Sequence, residues 1–235
     1  MKLSLIVPMY NEAAIIENSA RVYHEALCAE LPDHELIFVD DGSTDDSAAR
    51  VEALGLPNVR VIRYTPNQGK GNAVKTGMLA ATGEIRMFLD ADIAYGTDVI
   101  RQAAALMEAH PESAMVIGSR PLHPEGYAGY TLLRKLASET YIKVLNVVGG
   151  FRLSDSQCGC KAYRDAAAEA IFSRTETKGF AFDFETILLA QKLGFGIVEM
   201  PVKIVNHRQS KVHMLRDTLH MLAELRQIKK RVKKE

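Results

Sequence analysis

Four short strand-like runs, spaced along the first 90 residues, constrain this chain more than any other feature. They are Leu3–Val7, Leu36–Val39, Val59–Arg63 and Ile85–Leu89. Each is too short for a buried helix and each gives way to turn-forming residues. The stretches between them carry helical spacing. Ile15, Ile16, Val22 and Leu27 share one side of a helix expected to open at Asn11 as its cap, just after Pro8 stops the first strand. After the second run, Gly42 permits a tight turn, and Ser43 or Thr44 is the expected cap of a helix through Leu54. The glycine-rich link Asn67-Gln68-Gly69-Lys70-Gly71 leads to a helix near Asn72, and another helix reaches Met107 before a strand at Ala114–Gly118. Strand and helix in strict alternation imply an α/β fold, with a Rossmann-like, mostly parallel sheet and helices on both faces.

The second half is less regular. A helix is expected over Thr131–Val147, ended by Gly149-Gly150, then a strand at Cys160–Tyr163, a helix at Phe182–Leu193 and a strand at Gly196–Met200. With 235 residues, 47% of them hydrophobic, the chain has the material for one large core. One domain is expected over 1–210, with a nucleotide-binding half at 1–120 and an acceptor half at 121–210; a basic amphipathic helix at 211–235 follows. Acidic and basic residues balance at 29 each, so net charge gives no sign of a nucleic-acid partner, and none is expected. Three cysteines, Cys28, Cys158 and Cys160, form no disulfide framework and fit a reducing compartment. Cys158-Gly159-Cys160 lacks zinc spacing and reads as structural. The start of the sequence carries no signal-peptide pattern, and no run reaches the 18 or so apolar residues of a spanning helix. The expectation is a cytoplasmic protein, held peripherally on the cytoplasmic face of a membrane.

The fourth run ends in Asp90-Ala91-Asp92. In parallel α/β sheets the ligand crevice lies beyond the carboxyl ends of the strands. Two carboxylates delivered there suit Mg²⁺ or Mn²⁺, hard cations that share their shell with substrate phosphates. The alternative is that Asp90 opens a turn and Asp92 caps the next helix. Two other strand ends carry similar residues: Pro8-Met9-Tyr10-Asn11-Glu12 and Asp40-Asp41-Gly42-Ser43. An aromatic such as Tyr10 can stack on a base, and a carboxylate such as Asp40 can accept from a ring N–H or ribose hydroxyl. Ordinary Asp- and Gly-rich turns would look the same one at a time.

Together these blocks resemble the family 2 glycosyltransferases. Ile6 to Glu12, Val39 to Asp45, Asn67 to Ala73 and Asp90 to Asp92 match the family's successive blocks in order and approximate spacing. The resemblance implies the GT-A fold, a nucleotide-sugar donor (a UDP- or GDP-hexose) and a divalent metal on Asp90 and Asp92. It places Pro8, Tyr10, Asn11, Glu12, Asp40, Gly69, Lys70, Asp90, Ala91, Asp92 and Lys211 at the donor. Gly118-Ser119-Arg120, Arg134, Asp155-Ser156-Gln157-Cys158-Gly159, Phe182-Asp183-Phe184-Glu185 and Ser210-Lys211 are similar to the polyprenyl-phosphate branch, which includes dolichyl-phosphate glucosyltransferases and dolichyl-phosphate mannose synthases. Asp155 to Gly159 is nearer the glucosyl enzymes; Cys160 departs from their phenylalanine. The implied catalytic set is Asp92, Arg120, Arg134, Asp155 and Asp183.

A lipid phosphate acceptor is already an anion at neutral pH, so it needs no strong base. Charge repulsion and alignment are the difficulties. Arg120 and Arg134 are candidate phosphate forks, against the commoner case of solvated arginines. Asp155 is a candidate for binding sugar hydroxyls or placing the acceptor, Asp183 for catalysis or merely a helix cap, and Lys211 for a mobile lid. Val212, Leu215, Leu219, Leu222, Leu225 and Ile228 form a helical stripe, with Arg226, Lys229, Lys230, Arg231, Lys233 and Lys234 nearby. Such a helix either lies on anionic lipid or packs on the domain. Three rival readings stand beside the main one. A glycosyltransferase acting on a glycan hydroxyl would need a working base. A sugar-phosphate nucleotidyltransferase would show a Gly-x-Gly-Thr-x-Arg-like loop where Pro8 to Glu12 stand. An idle binding subunit would have lost the acidic pair.

Overall fold

The structure is a computed structural model that describes residues 2–206 and 214–234, with the side chains of 224–234 in the last segment. In chain order the elements are β1 (Leu3–Met9), α1 (Ile16–Glu30), β2 (His34–Asp40), α2 (Ser47–Ala53), β3 (Val59–Arg63), α3 (Lys70–Ala80), β4 (Ile85–Leu89), α4 (Asp98–Ala109), β5 (Ser113–Ser119), α5 (Leu132–Gly149), β6 (Cys160–Arg164), α6 (Asp165–Phe172), α7 (Phe182–Lys192), β7 (Gly196–Pro201) and α8 (Met214–Lys234). The seven strands form one sheet in the order β3-β2-β1-β4-β6-β5-β7. β6 runs antiparallel to both its neighbours; the other pairings are parallel.

Period-two alternation decides which face each strand residue serves. Ile6, Ile37, Val39, Phe88 and Ile117 pack on one face with Val74 and Met78 of α3, Ile171 of α6 and Ile187 of α7. Leu5, Val7, Leu36, Phe38, Met87 and Leu89 pack on the other with Ala20 and Leu27 of α1, Val51 of α2 and Ile100 of α4. Strand order reverses between β1 and β4, so the carboxyl ends of these two strands flank the switch point where α/β sheets bind ligands.

Three expectations change. Pro8 does not stop β1, which continues to Met9 with Pro8 opposite Val39. β4 pairs only with Leu3 to Ile6, so beyond Ile6 β1 has a free side and the missing N–H of Pro8 forfeits no ladder bond. Asn11 does not cap α1. It sits at φ 52°, and the helix starts at Ile16. Ser43 and Thr44 do not cap α2, whose N-cap is Asp46; they bond to Asn11 instead. α6 and the antiparallel placement of β6 are additions to the sequence reading.

The described part of α8 packs on the domain. Leu225, Ile228 and Val232 are buried in the same core as Ile187. Arg231 donates to Glu185 of α7 (Nη2 to Oε1, 2.5 Å) and to Thr177 (2.9 Å), and Lys229 donates to the Val148 carbonyl. Part of the expected apolar stripe therefore faces protein. Arg226, Lys230, Lys233 and Lys234 remain exposed. No helix among the described residues is long and apolar enough to cross a membrane.

Candidate active site

β4 ends at Leu89, and Asp90 follows in the switch-point crevice. Its carboxylate lies 2.5 Å (Oδ1) from the Lys70 ammonium at the start of α3. A Cβ built on Gly159 would overlap this carboxylate, so the glycine makes the room it occupies. Tyr23 donates to the Asp90 carbonyl (2.7 Å) and Ser19 to that of Ala91 (2.5 Å), which anchors the turn to α1. Ile93 is forced to φ 55°, a strained conformation for a β-branched residue, and the turn it makes lets Asp92 Oδ1 accept from the Ala94 N–H (3.2 Å). The Asp92 carbonyl accepts from Asn206 (2.6 Å).

Behind this pair stands a second layer of charge. Lys161 is fully buried and donates to Asp183 Oδ1 (2.6 Å) and the Cys158 carbonyl (2.8 Å). Asp183 does not cap α7, whose N-cap, Ala181, has no side-chain bond. Burial pushes the Asp183 carboxyl above the usual carboxylate range, although Lys161 and Lys70 pull it down. Burial works against the charged form of Lys70 too, but Asp90 and then Asp183 hold its ammonium above the usual lysine value. Asp90, Lys70, Asp183 and Lys161 therefore alternate in sign at one end of the sheet.

The loops after β1 and β2 lock onto each other. The Asn11 side-chain oxygen accepts from the N–H and hydroxyl of Thr44 (2.8 and 3.2 Å), and Ser43 accepts from the Asn11 N–H (2.9 Å). Ser47 accepts from the Glu12 N–H (2.8 Å). Asp40 is buried and accepts from the Ser43 N–H (2.9 Å). Asp41, which the sequence reading passed over, does more. Its oxygens accept from Tyr64, Asn67, Gln68 and Gly69 at 2.7 to 2.9 Å and so fix the whole approach to α3. Gly69 (φ 99°) and Gly71 lie flat against the backbone of Thr177 and Lys178, with no room for a Cβ. Tyr10 is 43% exposed beside this frame.

Arg120, just past β5, is almost fully buried. Its fork holds both oxygens of Asp155 (Nε to Oδ2 2.6 Å, Nη2 to Oδ1 3.0 Å). Asp155 is fully buried in that pair, which leaves no open edge for a sugar hydroxyl. The remaining arm of Arg120 donates to the Tyr130 hydroxyl (3.1 Å). Arg134 stacks on the Tyr130 ring at 4.1 Å, and Lys135 lies 5.4 Å from the centre of the Tyr127 ring. The structure thus gathers Asp90, Asp92, Lys70 and Asp183 into one cluster and Arg120, Arg134 and Asp155 into a neighbouring one. Lys211 lies outside the described residues. Gly159 and Lys161 had a signal in their block, Asp155 to Lys161, but spacing alone does not say that one makes room for Asp90 and the other pairs with Asp183.

The sequence matches glycosyl transferase family 2 over residues 4–172, and the chain belongs to that family. It is 32% identical over 212 residues to the dolichyl-phosphate beta-glucosyltransferase ALG5C of Trichomonas vaginalis, covering 85% of this chain and 63% of that one. It is 31% identical over 225 residues to the human dolichyl-phosphate beta-glucosyltransferase, covering 90% and 69%, and 31% identical over 231 residues to glycosyltransferase AglD of Haloferax volcanii, covering 96% and 36%. The chain therefore spans less than two thirds of the ALG5C and AglD proteins. Glucosyl-3-phosphoglycerate synthase from Mycobacterium tuberculosis, in complex with Mn²⁺, UDP and glucosyl-3-phosphoglycerate, superposes with a TM-score of 0.71 at 20% identity, covering 95% of this chain and 79% of that one. That likeness establishes the GT-A fold.

Proposed function

We propose that this chain is an inverting hexosyltransferase that moves glucose from UDP-glucose to a polyprenyl phosphate, working peripherally at the surface of a membrane. The names of the relatives at about 30% identity support glucose and a dolichyl-type acceptor. One observation in the structure carries the acceptor. Arg120, Arg134 and Lys135 surround Tyr127 and Tyr130, and the buried Tyr127 hydroxyl has no hydrogen-bond partner among the described residues. Directly beside this cationic cluster, α5 exposes Leu132 (88%), Leu133 (73%) and Leu136 (61%). An anionic head on an apolar chain matches that pairing of surfaces, and a free sugar hydroxyl does not. Lys143 and Arg152, also exposed, suit an anionic bilayer under the same helix. The cytoplasmic face is the leaflet proposed for that contact.

Asp90 and Asp92 fit a hard divalent cation, Mg²⁺ or Mn²⁺. The donors are carboxylate oxygens, the Asp90 carboxylate has an open cradle at Gly159, and it already attracts a cation in Lys70. Bound there, the metal would offset the negative charge of the donor diphosphate. The protein's own groups do the rest. In this reading Tyr10 and Asp40 hold the nucleoside, and Lys70 adds positive charge beside the diphosphate. Arg134 and Lys135 hold the acceptor phosphate, while Asp155 fixes the Arg120 guanidinium. A phosphate oxygen attacks the anomeric carbon, the bond from that carbon to the diphosphate breaks, and UDP leaves. No proton moves, and a single in-line step turns an α-linked donor into a β-linked product.

A second reading draws on Asp183. A carboxyl raised by burial is a better proton acceptor than an ordinary one, as transfer to a glycan hydroxyl would require. One assay separates the two readings. UDP-glucose and GDP-mannose are each incubated with the protein, Mg²⁺ or Mn²⁺, and either a short polyprenyl phosphate or a free oligosaccharide. Glucolipid from UDP-glucose alone is the expected product. Glycosylated oligosaccharide without glycolipid would overturn the lipid-phosphate assignment.

A further inference from the structure

We infer that His24, Cys28 and His34 form a binding site for a borderline-soft transition-metal ion, Zn²⁺ being the natural member, remote from the candidate active site. His24 and Cys28 stand four apart on α1 and so share one face of the helix. His34 opens β2, at the opposite end of that strand from Asp40. The Cys28 sulfur lies 3.5 Å from Nε2 of His24 and 3.9 Å from Nε2 of His34. One ligand atom from each residue falls within 4.8 Å of the others. With metal–sulfur and metal–nitrogen bonds of about 2.3 and 2.0 Å, a tetrahedral ion sets sulfur and nitrogen about 3.5 Å apart. The Cys28 sulfur already stands close to that separation from both imidazole nitrogens.

The orientation of His34 strengthens the assignment. Its Nδ1 lies 2.6 Å from the Leu31 carbonyl oxygen, which can only accept, so Nδ1 carries the proton. The lone pair is then on Nε2, the atom that faces Cys28. A backbone carbonyl fixing the tautomer of a histidine is the usual support behind a metal ligand. His34 is buried and Cys28 exposed, so an ion can enter from solvent and keep a water as its fourth ligand. A thiolate with two imidazoles selects Zn²⁺, Co²⁺ or copper over Mg²⁺ and Mn²⁺, the reverse of the preference at Asp90 and Asp92. Binding displaces the thiol proton and ties the end of α1 to the start of β2.

The test uses the whole chain, stripped with a chelator, then titrated with Co²⁺ while excess Mg²⁺ fills the oxygen site. One equivalent of Co²⁺ should develop a near-ultraviolet thiolate-to-cobalt charge-transfer band that Zn²⁺ abolishes. Cys28→Ser should lose the band, and His24→Gln, on the helix surface, should weaken Co²⁺ binding at least tenfold. Zn²⁺ should raise the Tm of the parent chain and leave that of Cys28→Ser unchanged. The absence of a charge-transfer band at tenfold excess Co²⁺ would overturn the site and leave a thiol hydrogen-bonded to imidazole. So would a band that survives in Cys28→Ser.

Discussion

In residues 1–120 the loops above the sheet are bonded to one another, whereas in 121–150 the polar groups meet aromatic rings and the leucines face outward. Asn11 joins the loops after β1 and β2, and Asp41 joins those after β2 and β3, each through several bonds under 3.3 Å. Across the site, α5 leaves Leu132, Leu133, Leu136 and Val147 exposed on one side while Ile142 and Leu145 anchor the other. The first region is finished by itself and needs only a small polar ligand to fill it. The second presents apolar area with nothing of the described chain over it, the mark of a surface completed by something apolar. On the proposed function, the cross-bonded loops are the donor side, suited to a nucleotide sugar, and the leucine-rich face is the acceptor side, suited to a lipid.

The largest effect is expected at the frame's centre. Asp92→Ala should lower transfer on the order of 10³-fold and abolish metal-dependent UDP binding, while donor-independent binding to vesicles stays unchanged. Chelation of the divalent ion should have the same effect on the parent protein. Retained activity in Asp92→Ala, measured as glycolipid formed, would remove the metal from the donor half. Gly159→Ala comes next. The added methyl needs the space of the Asp90 carboxylate, and Asp90 sits at the open edge of the crevice, so the carboxylate and not the backbone gives way. Transfer should fall about 10²-fold, an angstrom-scale misplacement, with the Tm nearly unchanged. A variant with full activity would show that Asp90 works from another position.

The strands of this fold were legible because apolar runs and their turn residues are local signals. What escaped the sequence depends on partners far along the chain. Asn11 looks like a helix cap until Thr44 is known to lie against it. Asp183 looks like a cap until Lys161, with its charge buried, is found in need of a carboxylate. The insertion of β6 between β4 and β5 left no trace in periodicity, since a buried strand reads alike in either direction. α6 is different: Asp165-Ala166-Ala167-Ala168-Glu169-Ala170 has strong helical propensity and was there to be read. The chemistry-bearing blocks were visible, but a block says which residues belong to a site and not which of them touch each other. Arg120 shows this. It was expected to hold an acceptor and instead gives two of its arms to Asp155.

The sheet beneath the frame predicts an acid sensitivity of its own, at the end of the strands away from the site. Glu35 joins β1, β2 and β3. It accepts from the Ser4 hydroxyl (2.7 Å), the Thr82 N–H (2.6 Å) and the Thr82 hydroxyl (2.8 Å), with Arg60 at 3.3 Å. Burial pushes its carboxyl up, but these donors and the Arg60 charge outweigh it and hold the value down at about 2. The folded value lies below the unfolded one of about 4.3, so the stabilisation is present above about pH 5 and fades as pH falls toward 2. Glu35→Gln should therefore be less stable than the parent by about 2 kcal/mol at pH 7, with about half of that gap gone at pH 3. Urea unfolding of both proteins at the two pH values measures it. A gap that does not change with pH would mean that the packing of Glu35, and not its charge, matters.

The smallest effect, and the sharpest on the comparison, concerns α5. Leu132 and Leu136 are one turn apart and their side chains lie largely in solvent, so replacing both with aspartate removes no core contact. Each leucine that enters a bilayer interface contributes on the order of 1 kcal/mol, and each aspartate is repelled by anionic lipid. The double variant should bind phosphatidylserine-containing vesicles at least tenfold more weakly and use a polyprenyl phosphate presented in them correspondingly less well. Its UDP affinity and its Tm should match the parent, because among the described residues no hydrogen bond joins the Asn11 and Asp41 loops to that face of the helix. Vesicle binding that survives in this variant but disappears when Arg226, Lys230, Lys233 and Lys234 are replaced would move the membrane contact to the exposed side of α8. The acceptor half would then be no more lipid-facing than the donor half.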